Sequence, residues 1–155
     1  MASKKNKEDD KKLSDKVARF DGKKIVMGAT TGDIISRELN LEITDKFDFY
    51  DTELPPVAHM EGIDLVTEGV LTLNKVEKIL RHYTPAFQAG QGPADQIIKL
   101  IRESDEIHFV IGTRVNVAHQ DPTLPVELEI RRTVVRRVIS LVEEKMLKEV
   151  NVSFL

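Results

Sequence analysis

Apolar residues recur along the chain at two spacings, and the spacings delimit its elements. Leu13, Val17 and Phe20 fall three or four apart, which predicts a short amphipathic helix over residues 7–20. The polar turn "DGK" at 21–23 precedes a first strand over 24–28 with a short apolar run in it, and residues 33–39 read as a helix of about two turns. Leu39, Leu41 and Ile43 alternate with polar residues, the period of a strand. Residues 44–58 read as irregular, because Pro55 and Pro56 oppose both helix and central strand. A third strand is expected at 62–66. Leu73, Val76, Leu80 and Tyr83 then mark a helical stripe, and Pro93 suits the first turn of a helix over 93–104. "EIHFVIG" at 106–112 reads as a buried strand. A long helix over 127–149 carries Ile130, Val134, Val138, Leu141 and Val142, and "VNVSF" closes the chain as a strand.

Strands thus alternate with helices, and the inner ones are continuous apolar runs. The expected fold class is α/β, with a mostly parallel sheet of about five strands covered by helices on both faces, in Rossmann-like or flavodoxin-like layers. Residues 13–155 are expected to form a single α/β domain. Residues 1–12, almost all charged or polar, are expected to be a disordered lead.

Composition narrows the function classes. The chain has 155 residues, 41% hydrophobic and 32% charged, which suits a globular domain with a real core. A formal net charge of −3 and an aromatic content of 5% argue against nucleic acid as a partner. No apolar run is long enough to span a membrane, and the charged N-terminal stretch is no secretory signal. The sequence contains no cysteine, which removes disulfides, thiolate zinc sites and cysteine nucleophiles together. A cytoplasmic location is the expectation.

In parallel sheets, ligands bind outside the carboxyl ends of the strands, so the chemistry is sought there. The first strand is followed by Gly28, Ala29, Thr30, Thr31 and Gly32. Glycines allow close backbone approach, and the first N–H groups of a helix lack partners and carry partial positive charge. Threonine hydroxyls add donors, and the ensemble suits an anion. Against this, Thr31 could serve simply as a helix cap, and Asp33 in a first turn would repel an anion. The turn also has neither the lysine of a P-loop nor a dinucleotide fingerprint. The second turn supplies Thr67, Glu68 and Gly69. The third supplies Thr113, Arg114, Asn116 and His119, in which Arg114 could clamp an anion with its fork. If the strands are parallel, all three turns share one rim.

Other candidates weigh less. Glu61, Asp64 and Glu68 are three carboxylates near one strand and are the weak candidates for a divalent metal. Glu61 and Asp64 point to opposite faces of a strand, however, and Asp64 is more simply satisfied by backbone N–H groups or a lysine. His59, His82 and His108 are not at metal-ligand spacing with His119. Arg131, Arg132, Arg136 and Arg137 on the long helix read as a solvated face with intrahelical pairs.

Three stretches, "GKKIVMGATTGDIISREL", "PPVAHMEGIDLVTEGVLTL" and "HFVIGTRVNVAHQDPTLP", resemble the C-terminal portion of SpoIIE-type (stage II sporulation protein E-like) bacterial metal-dependent serine/threonine phosphatases. The resemblance covers about residues 8–155. "EGIDLVTEGVLTL" is its most specific part. The first turn departs from the family's Gly-Gly-Thr-Thr-Ala pattern, reading Gly-Ala-Thr-Thr-Gly at 28–32. In that family the two-metal catalytic core lies upstream, and the only Asp-Gly pair here, Asp21-Gly22, has no second acidic motif to serve it. The resemblance therefore implies an accessory or regulatory domain without the catalytic core. It would bind a small anionic ligand, or a phosphatase-type partner domain, at the three-turn rim, with Thr30, Thr31 and the helix N-terminus holding the anion, Arg114 closing over it, and Glu68 and Asp64 orienting a hydroxyl, an amine or a bridging cation. Two rivals stand beside it. One is a hydrolase or transferase acting on a phosphorylated small molecule, with Glu68 or His119 as general base. The other is a structural domain that forms a homo-oligomer through the long helix.

Overall fold

The computed structural model describes residues 4–45, 51–112 and 124–155. Its elements follow the chain as α1 (Lys4–Arg19), β1 (Ile25–Met27), α2 (Ala29–Leu39), β2 (Thr44–Asp45), β3 (Ala58–Met60) and β4 (Ile63–Thr67). After these come α3 (Val70–Arg81), α4 (Pro93–Arg102), β5 (Glu106–Ile111), α5 (Leu124–Met146) and β6 (Glu149–Phe154). The class is α/β, as expected. The sheet is not the mostly parallel five-stranded one: β1-β4-β3-β2 form a mixed sheet, and β5-β6 form a second sheet of two strands.

The chain falls into two compact units. The first holds the described residues up to Gly69 with Gln91–Pro93, and the second holds Val70–Gly90 with Ala94–Leu155. Their separate sheets explain the division, since β5 and β6 pair with each other and not with β1 or β4.

In the first unit, β1 and β4 run parallel, with Ile25, Val26 and Met27 opposite Leu65, Val66 and Thr67. The mixed character comes from a hairpin that the prolines hide in the sequence. Met60 pairs with Ile63, so Glu61 and Gly62 alone turn the chain between β3 and β4. Gly62 takes a φ of 81°, a conformation that a side chain would disfavour. The core is Val26, Ile35, Met60, Ile63 and Val66, with Val17, Leu39, Leu41, Ile43 and Ala58 packed around it. Burying each large member stabilises the unit by roughly 1.5–3 kcal/mol. Leu41 and Ile43 reach this core, but the strand expected at 39–43 does not form. Leu39 still belongs to α2, and β2 begins only at Thr44.

Helix α1 extends back to Lys4, through most of the expected disordered lead. Its most buried positions are Asp10 and Ser14, one helical turn apart. The Asp10 carboxylate accepts a hydrogen bond from Arg37 of α2 at 2.8 Å. That pair helps to anchor the polar end of α1 where apolar residues do not.

In the second unit, β5, α5 and β6 form a parallel β-α-β unit, the connection such strands require. Ile107, Phe109 and Ile111 lie opposite Val150, Val152 and Phe154. Helix α3 packs along α5. Their buried residues are Thr72, Val76, Glu77 and Leu80 on α3 and Val134, Val135, Val138 and Val142 on α5. The α3 stripe is thus turned from the expected one, with Thr72 buried and Leu73 only half-buried, and Ile130 of α5 is exposed. Helix α4 buries Ala94, Ile97, Ile98 and Ile101 at helical spacing.

Candidate functional site

The first turn is built by a change of backbone at Gly28. Its N–H donates to the Thr67 carbonyl at 2.9 Å, which continues the β1-β4 pairing one residue beyond β1. Its φ of 101° then breaks the strand, and its carbonyl accepts the first helical bond of α2, from Gly32 at 3.0 Å. Helix α2 therefore starts at Ala29, four residues before the expected start. Gly28 is its N-cap and has no side chain to satisfy the leading N–H groups of Ala29, Thr30 and Thr31.

This placement changes two of the arguments raised against an anion. Thr31 is not the cap, because it lies inside the helix, and Asp33 is not in the first turn, which contains no acidic residue. Thr30 is exposed and Thr31 half-exposed, while Gly32 is buried with the space for its missing Cβ facing Ile43 and Val66. Gly32 is thus a packing residue, and Gly28, Thr30 and Thr31 form the accessible part of the turn.

The second turn meets the first. A Cβ on Gly69 would lie 3.4 Å from the Gly28 Cα, so two backbones touch where β1 and β4 end. Thr67 is buried, and its hydroxyl donates to the Glu68 carbonyl at 2.9 Å, which shapes the turn from within. Glu68 is half-exposed beside it. Gly28, Thr30, Thr31, Thr67, Glu68 and Gly69 are therefore brought together.

Asp64 and Glu61 are not. Asp64 is the second residue of β4, roughly 10 Å along the strand from Thr67. Its carboxylate accepts the Lys24 backbone N–H at 2.7 Å and pairs with the Lys23 ammonium at 3.6 Å. Asp64 is a structural residue that ties the start of β1 to β4. Glu61 is exposed in the β3-β4 hairpin turn, at the end of β4 opposite to Glu68. Among the described residues, no three His, Asp or Glu side chains come together as a metal site. His59 and His82 are exposed, and His108 lies 3.0 Å from the Glu106 carboxylate. Of the third turn, Gly112 follows β5 in the second unit; Thr113, Arg114, Asn116 and His119 lie outside the described residues.

The second unit gathers part of the α5 arginine cluster into a groove, where a solvated face is expected from the sequence. A shallow groove of about 340 Å³ is lined by Glu77 and Arg81 of α3 and by Arg136, Arg137, Ser140 and Leu141 of α5. Arg81 donates to the Glu77 carboxylate at 2.6 Å, and Arg137 approaches the same oxygen at 3.6 Å. Neither Arg136 nor Arg137 has an acid three or four residues away on its own helix, a signal the sequence carried. Arg81 could be joined to them only by the packing of α3 on α5.

No helix among the described residues is long and apolar enough to cross a membrane. No protein-family model, curated protein or solved structure matches this chain.

Proposed function

We propose that the chain is an accessory, ligand-binding domain of the kind that follows the catalytic core in SpoIIE-type phosphatases, and that it holds a small anion at the joined turns of β1 and β4. The observation that carries this reading is the junction itself. Two parallel neighbouring strands end in turns that touch through Gly28 and Gly69, and the helix that begins there has no side-chain cap. The N–H groups of Ala29, Thr30 and Thr31 and the two threonine hydroxyls supply donors. The α2 dipole supplies partial positive charge without a lysine. Glu68, beside the donors, would discriminate against bulky polyanions and favour a ligand that also carries a hydroxyl or ammonium group.

The experiment is a calorimetric titration of the full chain with inorganic phosphate, sugar phosphates and nucleotides, repeated on Thr30→Val with Thr31→Val. A hydrogen bond to a charged group contributes about 1.5–3 kcal/mol, so loss of one hydroxyl contact should weaken binding about tenfold or more. The melting temperature should stay within about 2 °C, since neither hydroxyl is buried. Unchanged affinity would reduce the turn to a helix start.

A further inference from the structure

We infer that the groove between α3 and α5 is a second, separate oxyanion site that takes a phosphoryl group through Arg81, Arg136 and Arg137. The inference does not rest on the β1-β4 junction, since all its residues belong to the second unit. Three arginines and one glutamate line the groove, a formal excess of two positive charges, which matches a phosphate dianion. Glu77 is the organiser. Its side chain is only 7% exposed, and one of its oxygens holds Arg81 and lies within ion-pair reach of Arg137, whereas their own side chains are 55% and 56% exposed. The carboxylate therefore fixes the inner edge of two guanidinium groups and leaves most of their N–H donors facing outward. The side chain of Arg136, on the same groove, is exposed and has no ion pair among the described residues. An arginine held beside two others meets mutual repulsion, which a bound dianion would relieve. Ser140 adds a hydroxyl and Leu141 an apolar contact for the remainder of an ester.

A purely structural Arg-Glu-Arg link between α3 and α5 needs Arg81 and Arg137 but not Arg136, so Arg136 separates the two roles. The test is a titration of the full chain, followed by NMR at the arginine side-chain N–H signals, with inorganic phosphate, glycerol 3-phosphate and acetate at constant low ionic strength. Saturable binding of both phosphates, with acetate much weaker, is expected. Glycerol 3-phosphate binding more tightly than inorganic phosphate would identify an esterified ligand, and equal affinity would identify free phosphate. Arg136→Gln should weaken phosphate binding at least tenfold with the melting temperature unchanged, and Arg136→Lys should restore only part of it, because the fork is lost. Thr30→Val with Thr31→Val should leave these arginine signals and their titration untouched. Absence of saturation, equal response to acetate, or unchanged affinity in Arg136→Gln would overturn the groove site. Phosphate binding that is lost in the threonine variant but kept in Arg136→Gln would overturn it while leaving the β1-β4 junction standing.

Discussion

Single residues decide how the candidate site is built. Gly28 ends a strand, caps a helix and lets Gly69 approach, and its φ of 101° is one that L side chains rarely adopt. Gly28→Ala should therefore destabilise the chain by about 1–3 kcal/mol in urea denaturation, although Thr31 Oγ1 lies 4.0 Å from the added Cβ and no clash arises. A loss below about 0.5 kcal/mol would mean that the turn relaxes freely and is a poor platform for a ligand. Asp64 shows the opposite case. Its position in an apolar strand draws the eye to chemistry, yet a backbone N–H and a lysine satisfy it completely enough to explain its presence. Arg136 and Arg137 of α5 are the reverse case. Neither has an acid at helical spacing, and that local fact by itself excludes intrahelical pairing for them.

At the scale of elements, α2 links the first unit's core to its site. One face buries Gly32 and Ile35, and its N-terminus presents Thr30 and Thr31. It ends at Asn40, whose left-handed φ of 53° lets its N–H reach the Arg37 carbonyl at 3.4 Å while Leu41 bonds Ser36 at 2.9 Å. Asn40 is among the few non-glycine residues that adopt this conformation readily. Because Ile35 is 1% exposed, Ile35→Ala should cost about 2–5 kcal/mol. Under conditions where the variant remains folded, phosphate affinity at the turn should change little, because the turn's geometry is set by the backbone bonds of Gly28. A parallel loss of affinity and stability in titration and urea denaturation would show instead that core packing positions the turn.

At the scale of the whole molecule, the second unit carries many buried apolar residues. Val76, Leu80, Ile97, Ile98, Ile101, Val134, Val138 and Val142 all belong to it and are buried in the full chain. Residues 70–155 expressed alone should give a dispersed amide NMR spectrum and a cooperative thermal transition, since only Gln91–Pro93 of that stretch belongs to the first unit. A collapsed, poorly dispersed spectrum would show that the unit depends on the first for its stability.

Local periodicity determined much about this protein. Apolar spacing located α3, α4, α5, β5, β6 and the apolar runs of β1 and β4, because helical and strand patterns are written within each element. It also pointed to Gly28, Thr30, Thr31 and Gly69 as a small, polar place after two apolar runs. The tertiary structure decided which strands are partners. A three-residue strand such as β3, behind two prolines, has too few positions to display a period. Strand order and the division into two units depend on pairings between residues far apart in the chain, as β1 with β4 and β5 with β6. The same physics governs Asp10, whose burial follows from Arg37, and the α3-α5 groove, where Glu77 and Arg137 lie sixty residues apart yet share a charge contact. Spacing along a chain specifies what each segment can become. Which charges and which turns meet is settled only when the segments pack.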